Sequence, residues 1–227
     1  DADADGDPMT SEGVFVFTRS APPAEAGVGS TVVVRGAVAG LLPSGADPGQ
    51  TPLTELVSTR VTVQSLPPVT WPGMLPTPVV LTPTFPDPAG PLDQLERVEG
   101  MRVAIAQAGV VAPTQGNTDQ PNASGSSNGI LHVVVAGVAR PFREAGIALP
   151  DPVPGGANPA IPRWDFNPEV ITLNSSGLGG TRWDLPFDSR IGDLAGPLDY
   201  GFRRYTILRD PLVPSTIAAG PRSQRRP

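Results

Sequence analysis

Short apolar runs recur along the chain, each bounded by proline, glycine or polar residues, and most alternate or are β-branched rather than helical in spacing. Val14 to Phe17 is the first. TVVVRGAVAG (31–40) is a clear strand in which Gly36 permits a bend, and LTELVSTRVTVQSL (53–66) reads as a second strand or a bulged pair. MRVAIAQ (101–107) and the apolar run of 130–140 continue the series. Only LDQLERVEG (92–100) has helical character: Leu92, Leu95 and Val98 lie at i, i+3 spacing and Gly100 suits a helix end. Between these runs, residues 67–91 are too rich in proline for a helix or a central strand, and 112–129 is a polar loop.

This pattern predicts an all-β protein of two OB-like or β-barrel lobes, with long Pro/Gly-rich loops and one short helix. The expected segments are an acidic first lobe (1–128), a second lobe (129–210) and a basic tail or linker (211–227). Composition supports folding despite 30 prolines and 26 glycines, because 39% of the 227 residues are apolar and clustered. With no cysteine there is neither a disulfide nor a thiolate metal site. No apolar run approaches the length of a transmembrane helix. The acidic start is the opposite of a targeting segment, so the chain reads as a mature or trimmed piece.

Charge is uneven. The net charge is −6, and every basic residue is arginine. Residues 1–128 hold 5 arginines against 13 acids, residues 129–210 hold 8 against 9, and the tail holds 3 arginines and no acid. An acidic first lobe is a poor partner for a polyanion.

The stretch DADADGDPMTSEGVFVF carries the most specific chemistry. Asp1, Asp3, Asp5, Gly6 and Glu12 fit the calcium-loop spacing D-x-D-x-D-G-x5-E, with Asp7 adding a further carboxylate. The β-like sequence that follows departs from the helix such a loop normally enters. A calcium-binding β-loop and a solvated acidic turn both remain open. Glu96 and Glu99 read as helix-surface acids, with ligation as the alternative.

In the second half, arginines interleave with aromatics: Arg140, Phe142 and Arg143; Arg163 and Trp164; Arg203, Arg204 and Tyr205. Such clusters suit single-stranded nucleic acid, since bases stack on rings and guanidinium pairs with phosphate. Equally, the rings can fill a core and the arginines pair with nearby acids. The one histidine, His132, sits within LHVVV and reads as structural; without a second histidine, a His-dependent acid–base pair is unavailable.

Several segments resemble the OB-like region that precedes the catalytic domain in secreted bacterial nucleases of the endonuclease/exonuclease/phosphatase type. They are DGDPMTSEGVFVF, VGSTVVVRGAVAG with TPLTEL, LERVEGMRV, IPRWDFNPEVITL and GPLDYGFRRYTILRD, in that order. The resemblance implies a bacterial, extracellular or cell-surface, non-catalytic and nucleic-acid-associated region. A metal-dependent nuclease or phosphodiesterase domain would be a separate unit. The competing class is a structural extracellular β module, an assembling surface or filament subunit. In the resemblance an apolar strand precedes the acidic segment, so the first lobe is expected to expose a sheet edge through which a homo-oligomer or filament could form.

Overall fold

The structure, a computed structural model, describes residues 5–7, 9–42, 51–66, 75–139, 147–148, 155–156, 158, 160, 163–164, 166–201 and 204–221, with 147–148 and 163–164 as backbone only. Nearly all its regular structure is β. Fourteen strands follow in order: β1 (Phe15–Val16), β2 (Thr31–Leu41), β3 (Leu53–Ser65), β4 (Val79–Val80), β5 (Arg102–Val110), β6 (Gly116–Asp119), β7 (Ser124–Ser127), β8 (Ile130–Val135), β9 (Ile147–Ala148), β10 (Arg163–Trp164), β11 (Ile171–Asn174), β12 (Arg190–Gly201), β13 (Arg204–Leu208) and β14 (Thr216–Ala218). The short helix is a single 3-10 turn, Glu96–Val98, closed by Gly100 at φ 72°. Among the described residues no helix is long and apolar enough to cross a membrane.

Five strands close a barrel in the order β5–β8–β11–β13–β12, with β12 returning to β5. All its neighbours are antiparallel except β11 and β13, which run parallel. β4 and β14 extend the sheet beside β5 and β12. Alternate residues of these strands point inward, so Val103, Ile105, Leu131, Val133, Ile171, Leu173, Leu194, Leu198 and Ile207 are fully buried. The polar loop expected at 112–129 instead contains the β6–β7 hairpin. The seven-stranded sheet that contains the barrel takes β4 and β5 from before position 128 and β8 and β11 to β14 from after it, so the two expected segments share one sheet, while β9 and β10 pair separately.

One glycine is dictated by the closure. A side chain at Gly196 would collide with the Leu208 carbonyl, because the Asp210 amide returns to bond the Ala195 carbonyl at 2.8 Å beside it.

β1, β3 and β2 form a separate three-stranded sheet in that order. β2 and β3 pair antiparallel along their whole length, Thr31 opposite Ser65 and Leu41 opposite Leu53. Register shifts follow Thr31 and Arg35, and Ser58, at φ 54°, lies at the second. This ribbon is mostly exposed. It buries only Leu53 and Glu55, at the end nearest the barrel.

Candidate functional site

A cleft of about 670 Å³ opens where the N-terminal turn, the start of β3, the 82–94 turns and the 3-10 turn meet. Its walls include Met9, Thr54, Phe85, Asp87, Glu96 and Glu99. The Arg97 guanidinium lies 4.0 Å from the Phe85 ring centroid, so the one arginine in the wall is stacked on an aromatic face.

Glu99 ties the 3-10 turn to two other parts of the chain. Its Oε1 accepts the Thr54 amide at 3.1 Å, and its backbone carbonyl accepts the Ser11 hydroxyl. The side chain is buried and Oε2 has no partner among the described residues. Burial, reinforced by neighbouring Glu96, pushes its carboxyl up to about 7. Glu96 is held from the other side: its Oε2 accepts the Tyr205 hydroxyl at 2.9 Å. Burial raises the Tyr205 phenol well above its ordinary value, and burial also raises the Asp199 carboxyl. The site therefore sets Glu96 and Glu99 close to a tyrosine hydroxyl, and at Glu99 burial favours the protonated carboxyl.

Glu96 and Glu99 were expected on a helix surface in water; the structure corrects this for Glu99, which is buried by β3 and the N-terminal turn. Glu55, also buried with an unpartnered Oε2, went unnoticed in the sequence. The signal was present, since Glu55 follows Leu53 at the two-residue period and so shares its inward face.

Of the candidate calcium ligands, Asp1 and Asp3 lie outside the described residues. Asp5, Asp7 and Glu12 are brought together, and their carboxylates turn onto the loop's own amides. Asp5 Oδ1 accepts the Asp7 amide at 2.7 Å, Asp7 Oδ1 the Met9 amide at 2.8 Å, and Glu12 Oε1 the Asp5 amide at 3.1 Å. Gly6, at φ 73°, supplies the turn. Among the described residues no three His, Cys, Asp or Glu side chains are grouped to hold a metal ion.

The arginine–aromatic clusters fare differently. Arg140, Phe142, Arg143 and Arg203 lie outside the described residues. Arg163 and Trp164 are described as backbone, in β10 paired parallel with β9. Arg204 is exposed at the start of β13. Tyr205 is a core residue: it is 8% exposed, its ring centroid lies 4.7 Å from that of Tyr200, and its hydroxyl is bound to Glu96. It offers no free face to a base. Arg209, outside those clusters, is buried against the Trp183 ring and donates to the Ser175 carbonyl at 3.2 Å. His132 is half-buried in β8: its Nε2 lies 2.8 Å from Gln115 Nε2, and burial together with Arg204 lowers its pKa.

The model of a domain of unknown function, DUF8508, matches residues 81–217. The chain belongs to the DUF8508 family. The DUF8508 segment begins immediately after β4 and ends within β14, so it comprises the barrel and the 3-10 turn, and the β1–β3 sheet precedes it. No curated protein and no solved structure gives a significant match.

Proposed function

We propose that this DUF8508 protein is the non-catalytic, nucleic-acid-associated β module of an extracellular bacterial nuclease or phosphodiesterase, with hydrolysis performed by a separate metal-dependent domain. One observation carries the reading. The segments that resemble such nucleases converge: LERVEGMRV enters β5, NPEVITL enters β11 and GPLDYGFRRYTILRD spans β12 and β13, all strands of one closed five-stranded barrel. Five strands is the OB-fold number. Two landmarks lie outside the barrel: VGSTVVVRGAVAG with TPLTEL supplies β2 and the start of β3, and DGDPMTSEGVFVF is joined to the barrel through Ser11 and the Glu99 carbonyl.

Calcium on the acidic turn belongs to this reading as a proposal. Asp5, Asp7 and Glu12 carry the hard carboxylate oxygens that ion takes, with Asp1 and Asp3 completing the spacing, and binding would draw them off the turn amides they now accept. The chain's own residues then supply only binding and orientation.

The test compares the 227-residue chain with the product of the full reading frame that encodes it, which the proposal requires to be longer. Under the proposal, DNA hydrolysis with a divalent metal appears only in the longer protein, and the short chain binds single-stranded DNA weakly, with an affinity that falls as salt rises. Hydrolysis by the short chain, or a full reading frame without a nuclease domain, overturns it. A structural, assembling module is the second reading, and the exposed β2–β3 ribbon favours it.

A further inference from the structure

The β2–β3 ribbon has two unlike faces. Cross-strand partners share a face, and at both register shifts the extra residue falls in β3, so β2 keeps its alternation through them. Val33, Arg35, Ala37, Ala39 and Leu41 therefore stand on the face of Leu53 and Glu55, which is buried at its barrel end. The opposite face carries Val32 beside Val63, Val34 beside Val61, and Val38 beside Leu56, which is flanked in turn by Val16 of β1. This aliphatic stripe is half-covered: Val32 is 38% exposed and Val38 77%, while Val16, Val34, Leu56, Val61 and Val63 are half-buried. β2 is also an edge strand, since its only partner among the described residues is β3.

Two of the usual guards of an edge strand, proline and lysine, are missing, and the register shifts in its pairing with β3 are what remains. β2 contains no proline and one charge, Arg35, and at about 3.3–3.4 Å per residue its eleven residues offer roughly 36 Å of unpaired backbone. The chain is acidic at −6, yet residues 31–65 are neutral, with Arg35 and Arg60 against Asp47 and Glu55. Repulsion between copies is therefore weakest here.

We propose that β2 pairs antiparallel with β2 of a second copy about a twofold axis at Gly36. Of the antiparallel registers, this one pairs all eleven residues, Thr31 opposite Leu41 of the partner copy. Each Val34 meets the other copy's Val38, and each Arg35 meets an alanine, so no like charges face each other. The result is a six-stranded sheet, β1–β3–β2 joined to its mate, with the aliphatic stripe continuous across the seam. Because the same patch is used on both copies, the contact closes as a dimer and does not propagate.

The absence of cysteine permits a register-specific test. Directly opposed residues in antiparallel strands have Cα atoms about 4.5–5.5 Å apart, within disulfide range. On mild oxidation, a mixture of the V34C and V38C proteins is expected to give covalent dimer, whereas either variant alone is not. Light scattering after size exclusion is expected to show a dimer for the parent chain and a monomer for V38K, a change at a largely exposed side chain that leaves the near-UV circular dichroism unaltered. Cross-linking of either single variant as efficiently as of the mixture overturns the register. A parent chain that is monomeric at all concentrations overturns the proposal outright: with the 31–41 amides protected from exchange it means an internal cover, and with them unprotected a bare edge.

Discussion

Gly13 and Gly100 lie backbone to backbone: a Cβ added to Gly100 would stand 2.9 Å from the Gly13 carbonyl carbon and from the Val14 amide nitrogen, and one added to Gly13 would be closer still to Gly100. The first glycine belongs to the acidic turn and the second closes the 3-10 turn, so the contact fastens the N-terminal segment to the barrel. Gly100 also holds φ 72°, a conformation that costs other residues about 1–2 kcal/mol. G100A and G13A are expected to lower the melting temperature by several degrees, taking about 2–4 °C per kcal/mol for a chain of this size. Gly109 in β5 has open space where its Cβ would go, so G109A is the control and is expected to change little. Equal melting temperatures for all three would show that the contact is not needed.

Glu99 sets the sign of a pH effect. Its carboxyl rises from an ordinary 4.5 to about 7 on folding, so the folded state holds a proton that the unfolded chain releases. Its contribution is fully present below about 4.5 and is lost as pH rises through about 7. His132 acts in the opposite sense: its pKa is lowered from 6.5, so its contribution is present above that value and is lost on acidification. The clean window is therefore the alkaline limb. Between pH 6.5 and 8 the parent chain is expected to lose stability while E99Q, which keeps an oxygen for the Thr54 amide, loses less. Parallel curves for the two would remove Glu99 as the cause.

Tyr205 separates a core role from a binding role. Y205F deletes the hydroxyl that donates to Glu96 and leaves the ring against Tyr200. A loss of about 1.5–3 kcal/mol in chemical denaturation is expected, typical of a hydrogen bond to a charged group. Affinity for single-stranded DNA, measured by fluorescence anisotropy, is expected to stay unchanged because the ring is buried. A selective loss of DNA affinity with stability intact would return Tyr205 to the binding surface.

Calcium in excess over EDTA is expected to raise the melting temperature through Asp1, Asp3, Asp5, Asp7 and Glu12, since an ion that binds only the folded state stabilises it by about 2.7 kcal/mol at a hundredfold excess over Kd. A D5N/E12Q double variant is expected to abolish the rise. Coincident melts with calcium and with EDTA would leave the carboxylates as caps of the turn's amides.

The all-β architecture was legible because period-two and β-branched runs at 31–40, 53–66, 101–107 and 130–140 leave little for a helix to use. The helix at 92–100 proved to be one 3-10 turn, since the Gly100 backbone must reach Gly13 and the Leu198 carbonyl, to which its amide bonds at 2.7 Å. What the sequence concealed was long-range. Nothing local to Arg102 announces that its strand pairs with Pro197 or that its guanidinium bridges Asp210 at 3.2 Å. The aromatic count suggested a stacking platform, but whether a given ring faces water or core depends on which strands close over it, and Tyr205 shows the outcome. Glu99 was visible as an acid and invisible as a buried one, because β3, which donates to it, lies 45 residues away.

The pairing of β12 with β5 also fixes an order of events in time. It joins Gly109 to Arg190 and Arg102 to Pro197, partners 81 and 95 residues apart, whereas the β2–β3 ribbon closes over a short connection. Bringing distant segments together costs more chain entropy before any contact rewards it, and topologies dominated by such pairings fold in milliseconds to seconds. The ribbon is therefore expected to form first, on a chain whose barrel is still open, with its valine stripe beside unpaired strands for that interval. Productive folding becomes a race between barrel closure and contact among half-folded copies, and yield on refolding should fall with concentration well before the native protein shows any sign of strain.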